Sequence, residues 1–203
     1  MDTFRLYISA AADLREEREL LAKGLADIPV GLGWVLHQTP VSASETLELE
    51  AVTAADLHVL LLAGDVRAPV GVEWLAAWRA QRLPIPYYRA QTTRTPAAAA
   101  FFNQVENLSP WTPYSSFIEI REMVFSALIG QLNRRAAHFK LSIDELKRLQ
   151  EWEQTLKSDA VAEQVDLGGA GASAIVLSPE RYEPRDGVLI DVKPQIETQS
   201  GNT

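Results

Sequence analysis

Strand-like and helix-like stretches alternate along the first two thirds of the chain. Residues 4–9 form a short apolar, β-prone run. Asp13, with Glu16 three residues on, has the form of a capping box. The helix it would open carries Leu14, Leu21, Leu25 and Ile28 on one face and most of its charges elsewhere. Pro29, Gly31 and Gly33 close that helix. Residues 34–37 read as a second strand, and residues 43–54 as a second helix with Leu47, Ala51 and Val52 inward. Residues 57–62 are almost continuously apolar, as expected for a central strand covered on both faces. Residues 71–82 read as a third helix and 85–88 as a fourth strand, which Pro86 places at an edge or ends early. Helices over 95–107 and 116–137 follow, the latter with Phe117, Ile120, Val124, Leu128 and Leu132 on one stripe. The alternation predicts an α/β fold: a three-layer, open, mostly parallel sheet flanked by helices.

A second unit is expected beyond residue 140. Ser142 and Glu145 form another capping box, opening a helix with Ile143, Leu146, Leu149, Trp152 and Leu156 on one stripe. A glycine-rich joint at 168–172, strand-like runs at 174–177 and 188–192, and a polar tail at 195–203 complete it. Residues 1–140 hold 13 basic and 15 acidic residues, and residues 141–203 hold 6 and 12. That step marks the expected boundary between an α/β domain (1–140) and an acidic appendage (141–203). One helix and one hairpin do not make an independent core. The appendage is therefore expected to dock in cis, pair with another chain, or stay loosely ordered.

Composition narrows the function classes. The formal charge of −8 disfavours a phosphate backbone, so no nucleic-acid partner is expected. With no cysteine, disulfides, thiolate metal sites and thiol nucleophiles are excluded together. No apolar stretch approaches the length of a membrane span, and the first residues lack a signal-peptide pattern. A cytoplasmic protein without membrane contact is the expectation. His37, His58 and His138 are scattered, so no metal site is expected, and no cofactor is implied. His58, inside an apolar strand, reads as a hydrogen-bonded structural histidine. Neither a nucleophile elbow nor a phosphate-binding glycine loop is present.

Candidate chemistry gathers where the strands end. In an open parallel sheet, ligands bind beyond the carboxyl ends of the strands, where Asp65, Glu73 and Ser9 are expected, with Tyr7 just before. A carboxylate in the first helical turn is held ionised by the dipole, and an ionised carboxylate in a closed pocket suits a glycosyl-transferring nucleophile. The plainer reading makes Glu73 a favourable first-turn residue and Asp65 a loop aspartate. Ser9 and Trp74 are the candidate ligand contacts, although Trp74 and Trp78, four apart on one helix, suit packing better than base stacking.

The opening RLYISAAADLREERELL, the strand entry Ala55-Asp56-Leu57-His58-Val59 and the GVEWLAAW helix resemble the DUF4062 family over residues 3–135. The resemblance implies a TIR-like, nucleoside-deoxyribosyltransferase-like fold. It further implies Glu73 attacking an anomeric carbon, Asp65 assisting as acid/base or sugar contact, and Tyr7 hydrogen-bonding the glutamate. Departures fall on the hydroxyls: Ser9-Ala10-Ala11 stands where the family has Ser-Ser-Thr, and Gly71-Val72 where the transferases have Gly-Thr. Those losses weaken catalysis more than the fold. Three functions follow: a signalling or adaptor module of a prokaryotic conflict (defence) or signal-transduction system recruiting a separately encoded effector; an N-glycosidase cleaving nucleosides or NAD through Glu73; and a nucleotide sensor using the same cleft. The first is favoured and is compatible with the third. Homo-oligomerisation is left open.

Overall fold

The computed structural model describes residues 3–42 and 44–169, with side chains to residue 162. The strand-like runs at 174–177 and 188–192, and the tail at 195–203, lie outside the described residues. Among the described residues, five parallel strands form one sheet: β1 (Thr3–Ala10), β2 (Gly33–Gln38), β3 (Leu57–Leu62), β4 (Ile85–Arg89) and β5 (Thr112–Tyr114), in the order β2-β1-β3-β4-β5. The expected α/β sheet with helices on both faces is therefore present.

Strand parity divides the core in two, because successive side chains point to opposite faces. Phe4, Leu6, Ile8 and Ala10 of β1 join Leu57, Val59 and Leu61 of β3 on one face. That face is covered by α1 (Arg15–Gly24), α5 (Phe117–Arg134) and α6 (Ile143–Gly169), through Leu21, Val124, Phe125, Leu128 and Leu149 among others. On the opposite face, Leu60 and Leu62 pack against Val70 and Trp74 of α3 (Ala68–Arg79) and against Ala98 and Val105 of α4 (Pro96–Glu106). Tyr7 packs there against Val52 of α2 (Leu49–Ala54) and Ala77 of α3.

Several elements differ from the sequence reading. Asp13 caps no helix: a 3-10 turn over Ala12–Leu14 precedes α1, and the Asp13 carboxylate accepts from the Gly64 and Asp65 backbone N–H groups at 3.0 and 3.1 Å. It ties the end of β1 to the loop after β3 instead. The second helix is shorter than the expected 43–54, beginning at Leu49. The third begins at Ala68, three residues early, with Pro69 in its first turn where a missing N–H costs nothing. The fourth strand is internal, not at an edge. β5 pairs only with Tyr87 to Arg89, so Pro86 is bonded on its β3 side alone. β5 itself is three residues long, too short for a hydrophobic period to reveal. Phe117 is exposed, with the Arg89 guanidinium over its ring, while the rest of its expected stripe is buried.

Packing does not break at residue 140. Lys140 adopts φ 53°, and Leu141 N–H reaches back to the Ala136 carbonyl, a left-handed turn between the end of α5 at Arg134 and the start of α6 at Ile143. The Ser142–Glu145 capping box forms in both directions, at 3.2 and 2.9 Å, and Glu145 also accepts from Gly31 N–H. Leu149 and Leu156 are buried in the same core as β1 and α5, and Trp152 meets the Phe125 ring. The helix of the appendage thus docks in cis. It continues through Gly168 and Gly169; the remainder of the glycine-rich joint lies outside the described residues.

Candidate functional site

Glu73 is the centre of a closed polar cluster on the α2/α3 face. It sits in the second turn of α3, not the first, so the helix end is not what stabilises it. The helix runs back over the sheet and brings the carboxylate down onto β1. Its Oε1 accepts from the Tyr7 hydroxyl at 2.8 Å. Its Oε2 accepts from Ser9 Oγ and from Thr39 Oγ1, both at 2.6 Å. All three donors follow from strand parity. Tyr7 and Ser9 are alternate residues of β1, and Thr39 follows β2 in register beside Ser9, since Ile8 pairs with Gln38.

The proton inventory of the cluster is complete with an ionised carboxylate. Each hydroxyl has one proton to donate. Thr39 Oγ1 already accepts from Ala10 N–H at 3.0 Å, so its own proton goes to Glu73. Ser9 gives its proton to Glu73 and lies 2.8 Å from His58 Nε2, so with Glu73 ionised that nitrogen must be the donor. His58 is then the neutral Nε2–H tautomer, and its Nδ1 is a buried acceptor without a partner.

Burial dominates the electrostatics. Glu73 is 0% exposed. Desolvation pushes its pKa above the usual carboxylate range, against the opposing hydroxyl hydrogen bonds and the nearby positive charge of Arg18. Burial likewise pushes Tyr7 far up, reinforced by the charge of Glu73. Burial drives His58 down to about 3, keeping the ring neutral. Arg18 makes no direct pair with Glu73; it donates to the Thr39 carbonyl at 2.6 Å and to Gln38 Oε1 at 3.1 Å, holding the segment that closes over the cluster.

The structure brings Tyr7, Ser9 and Glu73 together and leaves Asp65 and Trp74 apart. The Asp65 side chain is 41% exposed, 3.9 Å from Arg67 and accepting from Thr95 Oγ1 at 3.2 Å. It makes no contact with Glu73. Trp74 is buried, stacked on half-exposed Trp78 and edge-on to Phe101, in the packing role weighed for that pair. Sequence reasoning missed Thr39 and Arg18. The parity of His37 and Thr39 was the available signal for the former; Arg18 sits among helix charges that look solvated, and nothing local marks it as buried.

Clefts occur at both ends of the sheet. Beyond the carboxyl ends, a pocket of about 210 Å³ lies between Thr39, Ser42, Arg67 and Val70, and one of about 360 Å³ is lined by Tyr7, His37, Glu45 and Glu48. Glu73 lines neither. At the amino ends lies a larger cleft of about 660 Å³. Among the described residues, no group of three His, Asp or Glu side chains is placed to hold a metal ion. No helix among them is long and apolar enough to cross a membrane. Comparison with protein-family models, with curated proteins and with solved structures finds no match to this chain.

Proposed function

We propose that the chain is a non-catalytic signalling or adaptor module, recruiting a separately encoded effector as the resemblance to DUF4062 domains implies. The observation that carries this reading is the complete burial of Glu73 with both of its oxygens hydrogen-bonded. An attacking carboxylate needs a lone pair directed at substrate within about 3–3.5 Å. Here both oxygens are occupied by hydroxyl donors and the side chain has no exposed surface. Such a network fixes α3 against β1 and β2, so its chemistry is structural. The outer side of α3 supports an interaction role, since Val72 (41% exposed) and Trp78 (46%) present apolar surface there. A cytoplasmic setting within a conflict or signal-transduction system belongs to the same reading.

The N-glycosidase alternative retains one specific support: the 2.8 Å contact between Tyr7 and Glu73 is the pair that the resemblance assigns to such a site. Incubation with NAD and with deoxynucleosides, followed by chromatography of released base, separates the two. No release by the wild-type chain is expected. Release that disappears in Glu73→Gln, with the variant still folded by circular dichroism, overturns the adaptor reading.

A further inference from the structure

The amino-end cleft differs in charge from the rest of the molecule. Within a chain of formal charge −8, its lining includes Arg5, Arg82 and Arg135 against a single carboxylate, Asp56. Asp56 is already engaged: Oδ1 accepts from Arg135 Nη1 at 2.5 Å, and Oδ2 from the Arg5 backbone N–H at 2.8 Å. Arg82 donates one bond, to the Ala55 carbonyl at 3.3 Å. A guanidinium has five N–H donors, so each of these two arginines keeps several for a ligand. Among the described residues, the Arg5 side chain has no hydrogen-bond or ion-pair partner at all.

Arg82 and Arg135 follow the C-termini of α3 and α5, where a cation is favoured by the helix dipole without any ligand. That explanation does not reach Arg5, which lies on a strand. The roughly 660 Å³ volume falls within the range of about 300–1,000 Å³ for small-molecule sites. Arginine clusters match phosphate through paired, charge-assisted hydrogen bonds.

We infer that this cleft binds a small phosphorylated molecule, its phosphate held by Arg5, Arg82 and Arg135. The site lies at the opposite end of the sheet from the cleft expected for nucleotides. It stands whether or not Glu73 is catalytic.

Isothermal titration of the full chain with AMP and with inorganic phosphate, at two salt concentrations, tests it. Saturable, salt-weakened AMP binding is expected, tighter than phosphate alone. Arg5→Ala should weaken AMP by about tenfold or more without changing the melting temperature, since that side chain is exposed. Arg82→Ala should weaken it similarly. Absence of saturable AMP binding at millimolar ligand overturns the inference, as does binding unchanged by both arginine variants. AMP and inorganic phosphate binding equally overturns it too, since nothing beyond the anion would then be held. If Arg82→Ala only lowers the melting temperature and AMP binding is unaffected, the arginines serve the helix ends alone.

Discussion

The two faces of the sheet are built from the same strands by opposite physics. On the α1/α5/α6 face, every β1 residue is apolar and the core is closed by shape. Gly24 illustrates it: a Cβ there would stand 2.5 Å from the Phe125 ring, so α1 and α5 approach as only a glycine permits. On the α2/α3 face, the alternate β1 residues are Arg5, Tyr7 and Ser9, and the core beneath β1 is closed by hydrogen bonds onto Glu73. The first face depends mainly on apolar area and volume, although α1 also buries Glu17 there against Arg89 and Tyr114. The second depends on where protons sit. Each should therefore fail in its own way.

The largest expected effect comes from removing α6. A chain ending at residue 140 exposes the sites of Leu149 and Leu156, which are 0% and 2% exposed in the fold, together with the partly buried Leu146 and Trp152. At roughly 1.5–3 kcal/mol for each fully buried apolar side chain, the loss is about 5 kcal/mol, comparable to the whole stability of many domains. Urea denaturation should show a truncated chain that is barely folded at any pH. A truncated chain melting like the full one would mean that α6 does not complete the apolar face.

Breaking the polar face should cost somewhat less. Glu73→Leu leaves three buried hydroxyls without their acceptor, an expected loss of about 2–4 kcal/mol in a urea titration. Glu73→Gln keeps one acceptor oxygen but turns an amide toward hydroxyls that were donating, for about 1–2 kcal/mol. If Glu73→Leu were neutral or stabilising, apolar filling would serve this face as well as the other, and the contrast between them would disappear.

How far this contrast was legible in the sequence follows from what local periods can carry. Strands β1 to β4, their parallel direction implied by the helical crossovers, and the stripe on α5 apart from Phe117 rest on short-range repeats, and these are the parts that appear as expected. The association of Tyr7 with Glu73 was reachable only through resemblance, because 66 residues separate them. The burial of Glu73 under three hydroxyl donors was not legible. It requires the second turn of α3 to face β1, and that depends on a helix start moved from Gly71 to Ala68 by Pro69. Asp13 misled for a related reason, and Glu17 went unremarked. Both look like solvated helix-start carboxylates, yet Asp13 closes the loop after β3, and Glu17 is buried on Arg89 and the Tyr114 hydroxyl.

Acid titration should sharpen the comparison, with two opposing contributions from the polar face. His58 has a folded pKa of about 3, below its ordinary value of 6.5. The unfolded chain binds that proton first, so stability is present above 6.5 and lost as pH falls toward 3. Between pH 7 and pH 5 this is about 2 kcal/mol, at 1.4 kcal/mol for each unit traversed. Glu73 runs the other way. Its folded pKa is raised, so its contribution is present below the ordinary carboxylate value and lost as pH rises through the raised one. Where the windows overlap the two partly cancel, and the wild-type profile is flatter than either alone. Glu73→Gln should steepen the acid loss, and His58→Gln should reduce it. Identical pH profiles in both variants would detach the pH response from this face.

The smallest effect tests the helix that carries Glu73. Gln81 ends α3 with φ 57°, and Arg82 N–H reaches the Ala77 carbonyl at 2.9 Å across the turn. This is a Schellman-type ending, in which glycine is the preferred residue because it lacks the Cβ that crowds left-handed backbone. Gln81→Gly should therefore stabilise the chain by up to about 1 kcal/mol, offset in part by the greater freedom of glycine when unfolded. Because the carboxylate is placed by the helix and not by its terminus, the substitution should raise the denaturation midpoint equally at neutral and mildly acidic pH. A gain confined to one pH would mean that the end of α3 controls how Glu73 is seated, and the polar cluster would then be adjustable from the amino-end cleft that Arg82 lines.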